Sequence, residues 1–424
     1  MSGPRSALQV AALTTFAVVL AGCGDLDPSA GGVPAGSGET AEGEKGTVNV
    51  GLLNPTTGPF TALGEDVNAG FELYLERNGG TLGGYGVEVV KEDTANDPGG
   101  TTTKARQLVE QHESDIIIGL VNSGVAYAVA PYLEEAGVPL LITVAGADGL
   151  TRETDPNVFR LSYTGSQDTM PAGDYVCDEL GHRTAAIVGL DYSFGWEATG
   201  GFARVYEDAG CEVVQELYAP LGTQDWGPYV TQIDPAADVV FAVAPGSDSV
   251  RFFQAIDGFG VTTPVFVHGS TTDETLLPSL GATAEGVQSS LHYAPGVEND
   301  ANDTFVAAWT EAQGRSTNQY AEDGWAAAQS LEAALTEMEG EATPEAIREA
   351  LAGVQIDAPR GPVYFDEYGQ AVYDVQFREV TQQDGEWVNE VIDTAEDVSQ
   401  FYTYDPAEYL EFPPYEELKG TWAD

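Results

Sequence analysis

The amino-acid sequence predicts an α/β protein built from two doubly wound parallel-sheet lobes. Short apolar runs alternate with amphipathic stretches at helical spacing, and this rhythm restarts once along the chain, beyond Arg160. Continuous apolar strands between helices are typical of parallel sheets that helices cover on both faces. The chain of 424 residues also exceeds what one hydrophobic core usually supports. Two successive sets of units therefore predict two lobes.

Residues 1–22 have the charge, apolar core and small-residue order of an export signal. Arg5 precedes an apolar run over 7–20, which is shorter than the roughly 18 to 20 residues that span a bilayer. The run ends at Leu20-Ala21-Gly22-Cys23, where bacterial lipoprotein signals place the cysteine that is acylated. We therefore expect a signal peptide and a mature protein that is lipid-anchored through Cys23 at the extracytoplasmic face of the cell membrane.

An acidic linker separates this signal from the body of the chain. Residues 23–46 are small, polar and acidic, which predicts a flexible segment, and the folded part begins near Thr47. Over the whole chain 68 acidic residues face 16 basic ones, for a formal net charge of -52. Such a surface repels nucleic acid and anionic lipid headgroups. We therefore expect no nucleic-acid partner, and no membrane contact except through the lipid anchor.

The first set of units begins with a strand over 48–53 and a helix whose Val67, Phe71 and Leu75 recur at helical spacing. The helices after the next strands start at Thr101 and Ser123. The other strands of the first set are predicted over 87–90, 116–120 and 140–144. The strands of the second set are predicted over 185–190, 213–217, 239–244 and 265–267. No second long apolar run follows the signal, so no transmembrane helix is expected.

Cysteine content is consistent with export. Once Cys23 is assigned to the lipid, Cys177 and Cys211 remain as an even pair in an oxidising compartment, where a disulfide can form. Two separate buried thiols are the alternative, because free cysteine is often part of a core.

The residues that follow the strands predict a binding cleft, because ligands of doubly wound sheets bind beyond the carboxyl ends of the strands. These residues are small, hydroxylated or aromatic, and include Thr57, Ser123, Ala145, Gly146, Ala147, Tyr192, Phe194, Gly246, His268 and Gly269. A helix that starts at Ser123 would direct free N–H groups towards an anion. Any single turn of this kind is equally an ordinary helix cap. Six turns from two lobes together favour a cleft.

Catalytic signatures are missing from the chain. It has no G-x-S-x-G, H-E-x-x-H, P-loop or G-x-G-x-x-G motif. The four histidines are dispersed, and only His268 lies at a predicted strand end, as a ligand donor or a structural histidine. No cluster has metal-ligand spacing. We therefore expect a binding protein without catalytic residues, cofactor or metal. Arg160, which ends a strand, is expected to bind carbonyls or carboxylates at a hinge.

Four segments carry a family resemblance: Thr57-Gly58-Pro59, Leu150-Thr151, Asp191-Tyr192-Ser193-Phe194-Gly195 and Ala284-Glu285-Gly286-Val287. In their order and spacing they resemble the branched-chain amino-acid (Leu/Ile/Val) binding family of ABC importers, which has the periplasmic binding protein type I fold. The resemblance covers essentially the whole chain after the linker. It implies a Venus-flytrap mechanism, in which two lobes close on a small-molecule ligand and the closed monomer docks on permease and ATPase subunits.

The resemblance also implies where the lobes begin and end. It places three crossovers near 161–162, 292–293 and 367–371. Lobe one would then comprise 47–161 with 293–370, and lobe two 162–292 with 371–424. A flytrap of this kind also serves as the sensing domain of receptors, so sensing without transport is an alternative to import.

The family leaves two ligand classes open. In its amino-acid binders an acidic residue after a lobe-two strand holds the substrate ammonium, and the matching position here is Gly269, with Asp273 a few residues on as a substitute. Segments at 268–274, 291–293, 359–366 and 398–406 instead resemble the branch that binds aromatic carboxylates of the benzoate type.

The aromatic-acid branch implies a binding mode. The ligand carboxylate would take amides and hydroxyls around Ser123 and 145–147, and Phe60, Tyr192 and Phe194 would flank the ring. A branched-chain amino acid or a short amide is the alternative ligand.

Overall fold

The structure, a computed structural model, describes residues 43–58, 60–154, 156–383 and 385–418. The predicted signal peptide, Cys23 and nearly all of the linker lie outside these residues. Within the described ranges no helix combines the length and the apolar character needed to cross a bilayer.

Six strands form the first sheet, in the order β2-β3-β1-β4-β5-β6. They are β1 Thr47–Asn54, β2 Thr81–Leu82, β3 Tyr85–Asp93, β4 Ile116–Gly119, β5 Leu140–Ile142 and β6 Val158–Arg160. All neighbouring strands are parallel except β2 and β3. Every residue of β4 is buried, as expected for a central strand with helices on both faces.

The second sheet has nine strands, in the order β12-β13-β14-β11-β10-β9-β7-β8, with β15 paired to β14. They are β7 Thr184–Leu190, β8 Glu212–Ala219, β9 Val239–Ala242, β10 Val265–His268, β11 Gln288–Leu291, β12 Gln355–Ala358, β13 Gly361–Phe365, β14 Ala371–Gln383 and β15 Glu386–Val398. Strands β7 to β11 are parallel to their neighbours in this group. Strand β14 runs antiparallel to β11, β13 and β15.

Helices cover both sheets. In chain order they are α1 Thr61–Arg77, α2 Pro98–His112, α3 Ser123–Ala136, α4 Met170–Asp174, α5 Ser193–Asp208, α6 Gly227–Val230, α7 Ser247–Phe259, α8 Leu277–Leu280, α9 Asp300–Gln313, α10 Gln319–Glu337, α11 Pro344–Leu351, α12 Pro406–Tyr409 and α13 Tyr415–Leu418. Short 3-10 turns over Asp148–Thr151 and Gly269–Thr272 follow β5 and β10. The fold class predicted from the sequence is confirmed.

Helix α10 lies on the side of the first sheet, although it follows the second sheet's β11 in the chain. It crosses α1 at two glycines. A Cβ on Gly70 would lie 2.0 Å from the carbonyl oxygen of Ala321, and a Cβ on Gly324 would lie 2.0 Å from that of Val67. The two backbones therefore pack closer than any side chain would allow, which fixes α10 against the first sheet's helices.

Cys177 and Cys211 form a disulfide. Cys177 lies in the helical turn Tyr175–Glu179 after α4, and Cys211 immediately precedes β8. The bond therefore ties the segment that enters the second sheet to one of that sheet's edge strands.

Candidate ligand site between the lobes

Aromatic rings from three segments meet where the strand ends of the two lobes face each other. The ring centroid of Tyr163 lies 5.8 Å from that of Phe194 and 5.1 Å from that of His268, and Phe194 and His268 are 5.1 Å apart. The half-buried Tyr192 adds a ring 6.0 Å from Phe194. A Cβ on Gly146 would lie 3.1 Å from the Tyr163 ring and 3.2 Å from the Phe194 ring. Glycine at 146 therefore lets both rings approach the backbone.

A second apolar wall comes from the first lobe. Val121 and Val144, which follow β4 and β5, pack with Tyr320 of α10, and the half-buried Phe60 packs against this cluster. Phe60 was predicted as a ring-flanking residue, whereas Tyr320 was not among the predicted site residues. Burial raises the pKa of the Tyr320 hydroxyl well above its usual value, and the charge of Asp273 raises it further. The hydroxyl is therefore a neutral hydrogen-bonding group.

His268 presents a single proton donor. Its Nδ1 accepts a hydrogen bond from the backbone N–H of Ser270 at 3.2 Å. An amide N–H only donates, so Nδ1 carries no proton and the neutral ring carries its proton on Nε2. Burial lowers the pKa of His268 to about 4, which keeps the ring neutral near pH 7. Nε2 has no hydrogen-bond partner among the described residues. His268 therefore offers an unpaired N–H beside the aromatic rings.

Two acceptors of the same region are also unpaired. Gln319 Oε1 and Asp323 Oδ2 are buried and have no hydrogen-bond partner in the part of the chain that the structure describes. The amide nitrogen of Gln319 is used, since it donates to Asp273 Oδ2 at 3.3 Å. Leaving a buried polar atom unpaired costs roughly 1 to 3 kcal/mol, so such atoms mark where a ligand or water binds. The region thus combines aromatic walls, one donor and two acceptors.

Segments at the three predicted crossovers touch one another through aromatic rings. Tyr163 follows the first crossover, His292 lies in the second and Tyr373 follows the third. The His292 ring centroid lies 5.3 Å from that of Tyr163 and 5.7 Å from that of Tyr373. Asp168 accepts hydrogen bonds from the Tyr373 hydroxyl at 2.9 Å and from the backbone N–H of His292 at 3.2 Å. The ring that lines the cleft, Tyr163, is therefore in contact with the hinge.

Arg160, next to the predicted first crossover, binds backbone carbonyl oxygens as the sequence predicted. Its guanidinium donates to the carbonyl oxygens of Ala145 at 3.1 Å and Ala147 at 2.6 Å, and its Nε donates to Gln370 Oε1 at 2.7 Å. Gln370 in turn donates to the carbonyl oxygen of Ser162 at 2.6 Å. The fully buried Arg160 thus connects the first crossover, the third crossover and the turn after β5.

A buried charge network lies behind the rings. Arg360 donates to both Glu322 and Asp323, and His292 Nε2 lies 3.3 Å from Asp323 Oδ1. Burial and Arg360 oppose a charge on His292, but Asp323 and Asp168 outweigh them and raise its pKa. His292, Glu322 and Asp323 lie close enough to share a metal ion, a cluster that sequence spacing did not predict. Because the guanidinium already pairs with both carboxylates, the group fits an ion-pair network rather than a metal site.

Several predicted contacts are corrected by the hydrogen bonding. The amide of Ala145 donates to the carbonyl oxygen of Leu120 at 3.0 Å, so it is not available to a ligand. At the start of α3, the side chain of Asn122 accepts from the N–H groups of Gly124 and Val125. The half-buried Ser123 therefore offers fewer free amides than the sequence predicted. Thr57 is exposed and its hydroxyl donates to Asp93.

Glycine is required at 269 by the close packing around it and at 246 by the backbone conformation. A Cβ on Gly269 would lie 2.4 Å from Arg378 Nη2 and 2.5 Å from Leu291 Cβ, so an acidic side chain does not fit there. Its carbonyl oxygen accepts from Arg378 at 2.9 Å. Gly246 caps α7 with φ 66° and ψ -138°, a conformation open to glycine. The structure thus places Gly146, Tyr192, Phe194 and His268 together and gives Gly269 a packing role.

Comparison with known proteins shows the family and the fold of this chain. The family model of the periplasmic binding proteins matches residues 47–386. Leu/Ile/Val-binding protein homolog 6 of Brucella melitensis is 31% identical over 364 residues, which are 82% of this chain and 92% of that protein. An ABC transporter substrate-binding protein from Sphaerobacter thermophilus has a TM-score of 0.80 and 33% identity, covering 84% of this chain and 99% of the other.

A solute-binding protein from R. palustris, solved with 4-hydroxybenzoate, has a TM-score of 0.79 and 28% identity, covering 84% of this chain and 98% of the other. The chain belongs to the periplasmic binding protein family, with the type I flytrap fold. Members of this family are extracytoplasmic solute-binding proteins and not enzymes, in agreement with the missing catalytic motifs.

Proposed function

We propose that this protein is the solute-binding component of an ABC importer and that it binds an aromatic carboxylate in the cleft between its lobes. The observation that carries the proposal is the unpaired Nε2–H of the neutral His268 beside the rings of Tyr163 and Phe194. A neutral N–H donor next to aromatic walls suits a ligand that has an oxygen acceptor on a flat apolar body.

The charge of the cleft argues against an α-amino acid. Gly269 has no room for the carboxylate that would hold an ammonium group. Asp273 is the substitute that the sequence suggests, but its Oδ1 accepts from the amide and hydroxyl of Thr275 and its Oδ2 accepts from Gln319. Burial raises the pKa of Asp273. A carboxyl group that is already bonded and hard to ionise is a poor partner for a buried ammonium.

Structural neighbours support the same ligand class. Solute-binding proteins from Rhodopseudomonas palustris strains were solved with 4-hydroxybenzoate, with 3,4-dihydroxybenzoic acid and with benzoate, at 28%, 28% and 29% identity to this chain. The unpaired acceptors Gln319 Oε1 and Asp323 Oδ2 would suit a ring hydroxyl, which can donate to either of them.

The proposal also covers the membrane attachment, the oligomeric state and the partners of the protein. We infer a lipid anchor at Cys23, a monomer, and docking of the closed form on permease and ATPase subunits. The lobe bounds, 47–161 with 293–370 and 162–292 with 371–424, are part of it. The packing of α10 on α1 and the pairing of β14 with β11 agree with these bounds, whereas β12 and β13, which lie within 293–370, join the second sheet through β14. A short tether would keep the receptor near its permease and raise the effective concentration for docking.

Thermal shift and calorimetry test the ligand class. Benzoate or 4-hydroxybenzoate is expected to raise the Tm, because a ligand that binds only the folded state stabilises it. Leucine, valine and a short amide are expected to leave the Tm unchanged. The substitution Tyr192→Ala should weaken the best aromatic acid about tenfold, since it removes one ring wall worth roughly 1 kcal/mol or more. Tyr132→Ala, on the outer helix α3, is the matched control. A shift with leucine or valine and none with the aromatic acids would overturn the proposal.

A further inference from the structure

A second cavity, of about 490 Å³, lies beside the cleft. Its walls come from α5, from the turn after β5 and from residues 409–415 near the end of the chain. The backbone pair Gly146 and Gly165 stands between this cavity and the ring cluster, with the N–H of Gly165 donating to the Gly146 carbonyl oxygen at 2.6 Å. Gly146 faces the rings, whereas a Cβ on Gly165 would lie 2.7 Å from Glu197 of the second cavity.

Arg204 of α5 lines the second cavity and is only 7% exposed. Its guanidinium carbon lies 4.2 Å from the ring centroid of Phe412, 4.6 Å from that of Tyr415 and 5.6 Å from that of Tyr409. It makes no hydrogen bond or ion pair within the described ranges. Ring faces stabilise the positive charge but accept none of the five N–H donors in the plane of the guanidinium.

The packing of Arg204 against aromatic rings without a carboxylate partner is unusual for this protein. The chain has 68 acidic residues for 16 basic ones, so a carboxylate partner for a buried arginine is easily supplied. The other fully buried arginines of the described part have such partners or several carbonyl acceptors. Arg360 donates to two carboxylates, Arg378 to Gly269 and Tyr293, and Arg160 to Ala145 and Ala147. Arg204 alone among these four has ring faces in place of oxygen acceptors.

Among the remaining charged groups of this cavity one further oxygen atom has no partner in the described part of the chain. Asp148 is bonded to Arg152 at 3.2 Å and to the hydroxyl of Ser166 at 2.7 Å. Glu197 Oε2 is buried and has no partner among the described residues. Burial and the charge of Asp148 raise the pKa of Glu197 well above its usual value, so its neutral form is favoured. Glu197 and Arg204 are seven residues apart on α5, which puts them on one face at roughly 10 Å.

We propose that this cavity is a second binding site, for a small organic carboxylate, distinct from the site at the ring cluster of Tyr163, Phe194 and His268. The guanidinium of Arg204 takes the carboxylate in its planar fork, and the rings of Phe412 and Tyr409 contact the apolar body. The polar end of the ligand lies towards Glu197. The cavity volume is within the roughly 300 to 1,000 Å³ of small-molecule sites.

Equilibrium dialysis of the whole chain with labelled benzoate, 4-hydroxybenzoate and butyrate tests the proposal. At least one probe is expected to bind at a site that is lost in Arg204→Gln and kept in Tyr192→Ala. Arg106→Gln is the matched control, because Arg106 also stacks on a tyrosine ring, at 4.4 Å, but is exposed and paired with Glu110. It should bind all probes as the wild type does.

The variant Arg204→Lys distinguishes a loss of binding from a loss of folding. Lysine keeps a positive charge against the rings but lacks the paired N–H donors of the guanidinium. Binding of the probe at this cavity should therefore weaken at least tenfold, while the Tm stays close to that of the wild type. Binding of all three probes that is unaffected by both Arg204 variants, or absent, would overturn the proposal. If Arg204→Gln abolishes aromatic-acid binding and Tyr192→Ala has no effect, this site stands and the ligand class proposed for the cleft fails.

Discussion

His268 shows how one buried side chain sets both the chemistry of the cleft and its response to pH. The bond from the Ser270 N–H fixes its proton on Nε2, where a ligand acceptor can use it. The same burial lowers its pKa to about 4, below the roughly 6.5 of an exposed histidine. Between about pH 4 and pH 6.5, His268 binds a proton in the unfolded chain but not in the folded one.

Folding stability is therefore expected to fall as the pH is lowered from about 6.5 to 4, because protons then favour the unfolded state. The contribution of His268 to this loss is on the order of 3 kcal/mol. Urea unfolding of the wild type and of His268→Gln over this pH range measures it. The variant should show a shallower acid slope, although it is less stable near pH 7.

The control is His112→Gln, since His112 is exposed at the end of α2. This variant should keep the acid slope of the wild type. Equal slopes for wild type and His268→Gln would show that the imidazole of His268 is not held neutral by burial.

His292 works in the opposite direction. Asp323 and Asp168 raise its pKa, so its imidazolium stabilises the fold at low pH and this contribution is lost as the pH rises through the raised value. Because Asp168 also accepts from Tyr373 of the third crossover, the charge on His292 bears on how the crossovers hold together. The two histidines thus limit stability from opposite sides of the pH range.

At the scale of elements, the disulfide joins segments that are far apart in the chain. Cys177 and Cys211 are separated by 34 positions, and the bond closes a loop that contains β7 and α5. Closing a loop of this size in the unfolded state is worth roughly 3 to 4 kcal/mol in the chain-entropy model. Cys177→Ala combined with Cys211→Ala should lower the free energy of unfolding by about this amount.

Urea unfolding with and without reductant provides the comparison. The wild type should lose stability on reduction, and the double variant should be insensitive to reductant. An oxidised wild type that unfolds at the same urea concentration as the reduced one would contradict the expected contribution of this bond.

Elements with a strong local pattern were predictable. Strands β1 and β7 are rich in apolar residues, and the sequence placed both within one residue of their observed ends. The hairpin of β14 and β15 was missed. Strand β15 pairs with β14 alone, and its exposed residues include Glu390, Asp393 and Glu396. An acidic edge strand discourages pairing with other chains, but it lacks the apolar alternation by which strands are recognised.

The site was predictable to the extent that strand ends define it. Gly146, Phe194 and His268 each follow a strand, and the structure brings them into contact. Tyr163 and Gln319 come from a crossover and from a helix of a later part of the chain. Their positions depend on the packing of α10 on α1 and on the hinge. A local sequence pattern does not predict contacts between residues that lie so far apart in the chain.

At the scale of the whole molecule, the surface charge dominates. The formal net charge is -52, and in the described part of the chain only a few acidic groups pair with Lys or Arg, for example Glu72 with Lys91 and Glu92 with Lys104. Like charges on a compact body repel each other more strongly than in the expanded unfolded chain, which opposes folding. Because the two lobes carry the same sign, repulsion also opposes their closure on a ligand.

Added salt should therefore stabilise this protein. The Debye length falls from about 30 Å at 0.01 M to about 10 Å at 0.1 M, a range over which charges across the surface cease to interact. We expect the Tm, measured by differential scanning calorimetry, to rise by several degrees between 0.01 and 0.3 M NaCl. Glu390→Gln with Glu396→Gln, which removes two exposed charges from β15, should make this rise smaller. A Tm that falls over this range would show that attraction between paired charges outweighs the repulsion.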